Sequence, residues 1–331
     1  MPVHFEPTMP SHRLGARGPF VSAIGFGAMG LSGIYGAADD DASVALIRRA
    51  LDLGITHIDT ADVYGGGHNE SLIGQALGPR RPEVVLATKT GGGPEEGLGR
   101  PERIGQAIEA SLARLDTDHV DLYYLHRVDP TTPIEESVGA LADLVAAGKV
   151  GHLGLSEVNP DTLRRAQAVH PITAVQQEYS LFARDPERQL LPVCRELGVG
   201  LVAYSPLGRG LLTGALRSGT DIENLEQRRQ RYPRFDEGAL EHNLALVDPL
   251  RRRAESLGTT ASALALAWVL AQGHDVVPIP GTRRIGNLEA NVLAARAVLD
   301  PELIDELSSL FPPGAAAGER YEASLLQRIE R

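Results

Sequence analysis

Four side chains with complementary proton chemistry recur in similar settings: the carboxylate of Asp59 and the phenol of Tyr64 within Asp59-Thr60-Ala61-Asp62-Val63-Tyr64, the amine of Lys89 and the imidazole of His126. Asp59, Lys89 and His126 all fall at the ends of short apolar runs, so a fold that gathers successive strand ends at one face would bring them together. A lysine inside such a face must find an anion, and Asp59 is the partner at hand. The pair would set positive charge beside Tyr64, favouring the phenolate and lowering a pKa that is ordinarily about 10. A tyrosine so tuned donates a proton to a carbonyl oxygen at neutral pH, and His126 hydrogen-bonds and polarises that oxygen. Reduction also needs a hydride, which no side chain supplies and a nicotinamide does.

The elements that must position these groups follow from the patterning. Runs rich in Val, Ile, Leu and Tyr alternate with longer amphipathic segments from Val21 to about Leu299, the signature of βα units on a parallel sheet. The expected strands are Ser22-Gly27, Thr56-Ala61, Val84-Lys89, Val120-His126, Val150-Glu157, Ala174-Ser180, Gly200-Pro206 and Val276-Gly281. Helices fit over Asp41-Leu53, Glu70-Leu77, Glu102-Leu115, Ile134-Ala147, Pro160-Ala168, Pro186-Leu197, Thr260-Gln272 and Gly286-Ala297. Eight such units close a barrel, and 331 residues suit a single (β/α)8 TIM-barrel domain, an α/β fold spanning 1–331. Leu14-Val21 is expected to form a hairpin plugging the barrel bottom, Leu207 to about Glu241 a long Arg-rich lid after strand 7, and Pro301-Leu310 with the tail to Arg331 a C-terminal flap. In a barrel, chemistry sits on the rim of C-terminal strand ends, where Asp59, Lys89, His126, Ser156, Gln176, Tyr204 and Gly281 all fall.

Those ends offer a cofactor berth. Gln176 and the Ser156 hydroxyl suit a carboxamide, and Tyr204 presents a face for a nicotinamide ring. Ser205-Pro206-Leu207-Gly208-Arg209-Gly210 brings small residues and exposed amides to a pyrophosphate. Pro280-Gly281-Thr282-Arg283-Arg284-Ile285-Gly286 leads into a helix, where adjacent arginines oppose the macrodipole and so suggest a bound anion; a 2′-phosphate, and hence NADP(H) rather than NAD, explains them. Gly25-Phe26-Gly27-Ala28-Met29-Gly30 matches the dinucleotide fingerprint GxGxxG, but Leu31-Gly36 continues as loop and Asp52 lies within a helix, so these read as turn glycines on the rim rather than a Rossmann motif.

Composition excludes other classes. A net charge of −11 argues against nucleic acid as partner. The lone Cys194 permits no intrachain disulfide, which suits a reducing cytoplasm, and the ten histidines show no metal-ligand spacing. MPVHFEPTMPSHRLG has no signal-peptide pattern, and Ala261 to Ala271 is shorter than the ~20 residues that span a bilayer, so a buried helix is expected there and no membrane association. The expected partner is a small-molecule carbonyl compound, handled by a monomer or small homo-oligomer.

With these residues in place, the chain from Arg13 to Leu310 resembles the aldo-keto reductases. The signature-like segments are Gly54-Ile55-Thr56-His57-Ile58-Asp59-Thr60-Ala61, then Tyr64 and Asn69-Glu70-Ser71-Leu72-Ile73-Gly74. The resemblance implies a barrel that reduces aldehydes or ketones with NADPH, its tetrad mapping onto Asp59, Tyr64, Lys89 and His126, with Gly27, Ala28 and Met29 on the cofactor-side first loop. Leu125-His126-Arg127-Val128-Asp129, Gly154-Leu155-Ser156-Glu157 and Tyr204-Ser205-Pro206-Leu207-Gly208-Arg209-Gly210 look most like the branch that contains perakine reductase and pyridoxal-reductase-like enzymes. Many family members carry Ser-Asn where this chain has Ser156-Glu157. In the adenosine region Thr282, Arg283, Asn287, Glu289 and Asn291 match the branch pattern, beside Gly281 and, deeper in the site, Asp59; Ala290 replaces a common acidic residue. Met29, Arg127, Tyr232 and Phe235 are expected, with Tyr64 and His126, to touch substrate. Two other readings stay open: a non-catalytic NADP-binding regulatory or redox-sensing subunit, and an aldolase forming a Schiff base on Lys89.

Overall fold

Short apolar runs lay down the barrel one strand at a time. The computed structural model describes residues 3–330 other than Tyr35 and Ala37, so Tyr35 of the expected loop Leu31-Gly36 and Arg331 of the tail lie outside the described residues. Before the barrel come β1 (Val3–Phe5), β2 (Ser11–Arg13) and β3 (Phe20–Ser22). The barrel strands are β4 (Phe26–Gly27), β5 (His57–Asp59), β6 (Val85–Thr90), β7 (Val120–Leu125), β8 (Val150–Ser156), β9 (Ile172–Glu178), β10 (Gly200–Tyr204) and β11 (Val276–Pro278). They form one parallel eight-stranded sheet in sequence order. The Gly25 N–H donates to the Pro278 carbonyl at 2.9 Å and the Gly27 N–H to that of Pro280 at 3.5 Å, drawing the first and last strands together. Glycine is required there, because a Cβ on Gly27 would lie 2.7 Å from the Ile279 oxygen. The first two glycines of the GxGxxG match, Gly25 and Gly27, therefore serve barrel closure.

Helices α1 (Asp40–Asp52), α2 (His68–Leu77), α3 (Pro101–Leu115), α4 (Ile134–Ala146), α5 (Pro160–Val169) and α6 (Leu190–Leu197) wrap the outside, each with one apolar face on the sheet. The expected start of α6 at Pro186 is instead a separate 3₁₀ turn over Asp185–Glu187. The hairpin of β2 and β3 plugs the N-terminal end as expected, with Leu14 at its turn. Leu14 packs inside the barrel with Val21, Leu122, Tyr124, Val202 and Val277, and the Ala16 N–H donates to the Gly198 carbonyl at 2.7 Å.

The second half departs more from expectation. The stretch after β10 contains α7 (Leu225–Arg231) and then a 20-residue helix, α8 (Glu237–Ser256), where no helix is expected. Its buried positions Leu240, Val247, Leu250 and Ala254 do keep a helical period, but Pro249 and a run of arginines mask it in the sequence. Next come α9 (Ala261–Leu270), apolar all round and buried, and α10 (Ile285–Ala294), which stops short of Ala297. Residues beyond it form β12 (Ala297–Leu299), antiparallel to β1, a pairing with no local sequence signal. The chain ends with α11 (Pro301–Leu310) and α12 (Ala323–Leu326). Trp268 of α9 anchors this half, its indole N–H donating to Ser308 Oγ at 2.9 Å. Among the described residues no helix is long and apolar enough to cross a membrane.

Candidate active site

Asp59, Lys89 and His126 leave the ends of neighbouring strands β5, β6 and β7, and Tyr64 returns over them from the first turn after β5. Lys89 is fully buried; its Nζ donates to Asp59 Oδ1 at 2.6 Å and to the Thr60 carbonyl at 2.6 Å, and lies 3.5 Å from the Tyr64 hydroxyl. The other oxygen of Asp59 accepts from Gln176 Nε2 at 2.7 Å, so this amide nitrogen steadies the carboxylate. The Tyr64 and His126 rings meet edge to face, 5.9 Å between centroids.

Burial and the Asp59 carboxylate hold the Tyr64 phenol well above its ordinary pKa, against the expectation that Lys89 lowers it; the ammonium faces Asp59 first, which neutralises its field at the phenol. Burial pushes Lys89 down, a shift that Asp59 opposes. Burial, helped by the charges of Arg127, Lys89 and Arg328, pushes His126 well below its ordinary range, so its imidazole is neutral at pH 7. Its Nδ1 is buried without a partner, leaving Nε2 as the nitrogen able to bond at the site.

Polar residues of the signature-like segment fix these strand ends from behind. Thr60 Oγ1 donates to Asn69 Oδ1 at 2.6 Å, and Asn69 Nδ2 donates to the Ala28 carbonyl at 2.9 Å, tying β5 to the first loop. Glu70 accepts from Thr88 Oγ1 at 2.6 Å and from Arg114 Nε at 2.7 Å, tying β6 to α2 and α3. Between Tyr64 and α2, Gly65, Gly66 and Gly67 take φ of 59°, 63° and 95°, a left-handed run that glycine adopts without strain. Asp62 in the same turn is different: Oδ1 is buried without a partner, and desolvation, aided by Glu70, raises its pKa to about 6. It lines a cavity of about 350 Å³ with Thr90, Gly91, Arg103 and Gln106.

Across the rim, two buried carboxylates organise the ends of β8 and β9. Glu157 accepts both N–H groups of Arg320 at 2.9 and 2.8 Å and the Tyr204 hydroxyl at 2.7 Å. Glu178 accepts Arg209 at 3.0 and 2.9 Å and Arg234 at 3.0 Å. The Arg209 guanidinium is thus buried in an ion pair and lies against the Tyr232 and Tyr321 rings at 4.3 and 4.9 Å from their centroids. Tyr232 covers Arg209, and Phe235 is buried in the core of the second half. Tyr321 meets the Tyr204 hydroxyl at 3.0 Å, and Arg328 donates to the Gly92 and Gly93 carbonyls, so the tail lies across the rim as the expected flap. Arg320 and Tyr321 carried no sequence signal, since only their tertiary contacts distinguish them from tail polarity.

The remaining residues line one arc of the rim. Gly27, Ala28 and Met29 lie beside Gly281, whose Cβ position would be 2.7 Å from the Gly27 oxygen. The loop from Ser205 through Pro206, Leu207 and Gly208 to Gly210 is tightly turned, with Ser205, Gly208, Arg209 and Gly210 all at positive φ. The lid reaches over the Thr282 turn through a 2.7 Å ion pair from Arg283 to Glu223. Helix α10 starts without a side-chain cap, leaving its first N–H groups open to an anion. Asn287 is exposed on its first turn, Asn291 is buried, and Glu289 turns away to pair with Arg49 at 2.6 Å. Glycine-lined walls, the Tyr204 ring and an uncapped helix start together fit a nicotinamide dinucleotide.

A parallel eight-stranded barrel with this cluster at its C-terminal rim defines a class, and the sequence agrees: residues 23–311 match the model of the aldo/keto reductase family, to which the chain belongs. The chain is 46% identical over 318 residues to the probable aldo-keto reductase 1 of Glycine max, covering 93% of this chain and 91% of that one. Among solved structures it is similar to the glycerol dehydrogenase of Gluconobacter oxydans, with a TM-score of 0.81 and 32% identity over 92% of this chain and 96% of the other. It is also similar to a Klebsiella pneumoniae aldo/keto reductase in complex with NADP and acetate, with a TM-score of 0.74 and 29% identity over 94% and 98% of the two chains. Family membership makes the protein an oxidoreductase.

Proposed function

We propose that the protein reduces aldehydes or ketones to alcohols with NADPH, Tyr64 acting as general acid. The observation that carries this reading is Lys89 Nζ set between Asp59 Oδ1 and the Tyr64 hydroxyl, with the neutral His126 ring edge-on to the phenol. The raised pKa keeps Tyr64 protonated, as an acid must be before it acts. As negative charge grows on the carbonyl oxygen, Tyr64 releases its proton to it, and Lys89 stabilises the phenolate left behind. His126 Nε2 orients the same oxygen, and burial keeps water from competing. A bound NADPH supplies the hydride. Tyr204 would carry the nicotinamide ring, Ser156 its carboxamide, the Ser205–Gly210 loop the pyrophosphate, and Thr282, Arg283 and the start of α10 the 2′-phosphate. The hairpin, barrel, lid and tail act as one domain in this reading, and motifs such as Leu125-His126-Arg127-Val128-Asp129 support a likeness to the branch that contains perakine reductase.

The test is NADPH oxidation, followed by absorbance, with 4-nitrobenzaldehyde. Wild type should turn over with NADPH preferred to NADH, and Tyr64→Phe should lose ~10²-fold or more in kcat. NADPH binding without turnover across a panel of carbonyls would instead support a cofactor-binding regulatory role.

A further inference from the structure

Most guanidinium groups on the inner rim are consumed by carboxylates: Arg209 and Arg234 by Glu178, Arg320 by Glu157. Arg127, one residue beyond His126, is not. Its Nη1 donates to the His126 carbonyl at 2.5 Å and to Ser156 Oγ at 3.2 Å, and among the described residues no ion pair or hydrogen bond engages Nε or Nη2, neither of which is sealed from solvent. The groups that bear most on its charge are the hydroxyls of Tyr204, Tyr321 and Tyr64 and the carboxylate of Glu157. Glu157 is already bound by both nitrogens of Arg320 and by Tyr204, so it has little left to offer. A second cation, Arg328 on the tail, comes close enough for its charge to act on both His126 and Arg127, and its bonds go only to the Gly92 and Gly93 carbonyls. In a chain of net charge −11, two cations that bond no carboxylate among the described residues, though Glu157 acts on Arg127 and Glu95 on Arg328 through space, flank the imidazole that orients the reacting carbonyl.

We infer that Arg127, supported by Arg328, is the anchor for a carboxylate on the substrate, so that the preferred substrates are carbonyl compounds bearing an acid group. The inference rests on the reductase reading and names its substrate class. A guanidinium whose Nε–Nη2 edge is free matches a carboxylate geometrically, and the half-buried setting strengthens the attraction relative to open water. Held there, the acid group would fix the distance and direction of the carbonyl from His126 Nε2 and the Tyr64 hydroxyl.

The experiment compares 4-formylbenzoate with its methyl ester, which differ by the charge, in NADPH oxidation by wild type, Arg127→Gln and Arg328→Ala. Wild type should favour the acid by ~10-fold or more in kcat/KM, that ratio should fall towards one in Arg127→Gln, and Arg328→Ala should lower it less. Because the ratio is taken within each variant, a general loss of activity does not mimic the effect, and Arg328→Ala, on the half-buried tail, keeps the test open should Arg127→Gln fail to fold. An acid-to-ester ratio unchanged in both variants overturns the inference. If wild type turns over neither compound, the reductase reading fails, and benzoate binding measured by calorimetry with NADP present decides the anion site separately: weaker binding in Arg127→Gln supports it, and equal binding removes it.

Discussion

On the β5–β6 side of the rim one ammonium answers one carboxylate, whereas on the β8–β9 side three guanidinium groups answer two. The Lys89–Asp59 pair comes from adjacent strands, and beyond backbone and Gln176 bonds its further hydrogen-bond partner among the described residues is the Tyr64 hydroxyl. The Glu157 and Glu178 network draws instead on the lid and the tail, and its members interlock through the Tyr204, Tyr232 and Tyr321 rings. The first arrangement leaves a charge available to a reacting proton. The second leaves almost none and holds loops in place. Buried charge near chemistry is thus kept sparse, and buried charge near structure is saturated.

The largest break in that contrast is Lys89→Met. It should lower kcat by ~10²-fold or more and, by stranding Asp59, destabilise the fold by about 3 kcal/mol, read from NADPH turnover and urea unfolding. Glu178→Gln should act on one side only: stranding Arg209 and Arg234 costs about 3 kcal/mol, while kcat falls less than ~10-fold because no tetrad atom moves. Equal loss of turnover in the two variants would erase the distinction.

Acid titration sharpens the comparison at smaller amplitude. Glu178 is held at about 2 by its arginines, so the stability it contributes is complete above its unfolded value of ~4.3 and drains away as pH falls towards 2. Asp62 runs the other way. With its native pKa raised to about 6, the folded protein binds more protons than the unfolded one between pH ~4 and 6, and stability falls as pH rises through that window. Asp62→Asn should therefore exceed wild type by about 2 kcal/mol at pH 7, an advantage that disappears near pH 4. Urea unfolding at the two pH values checks the sign.

How much of this was legible in the sequence differs along the chain. The first half of the barrel was nearly complete, because each strand and helix there is a local pattern: a β-branched run, a 3.6-residue stripe, a glycine stop. The helix Glu237–Ser256 was hidden because Pro249 and charged residues blur its stripe, and the β1–β12 pairing because its partners lie far apart in the chain. The burial of the Arg209 and Phe235 side chains was hidden for a related reason. A side chain on a long insertion can face the site or the core, and the sequence does not say which.

By itself the sequence determined the repeat of βα units, and so a rim on which Asp59, Tyr64, Lys89 and His126 had to converge, since strand ends in a parallel barrel share one face whatever the loops do. The tertiary structure alone decided who answers whom: that Gln176 steadies Asp59, that Glu178 absorbs Arg209, and that Arg127 keeps its charge free. Pairing at a distance depends on how loops and tail fold over the rim, and in a low-dielectric interior those pairings, more than residue identity, set each group's charge and use.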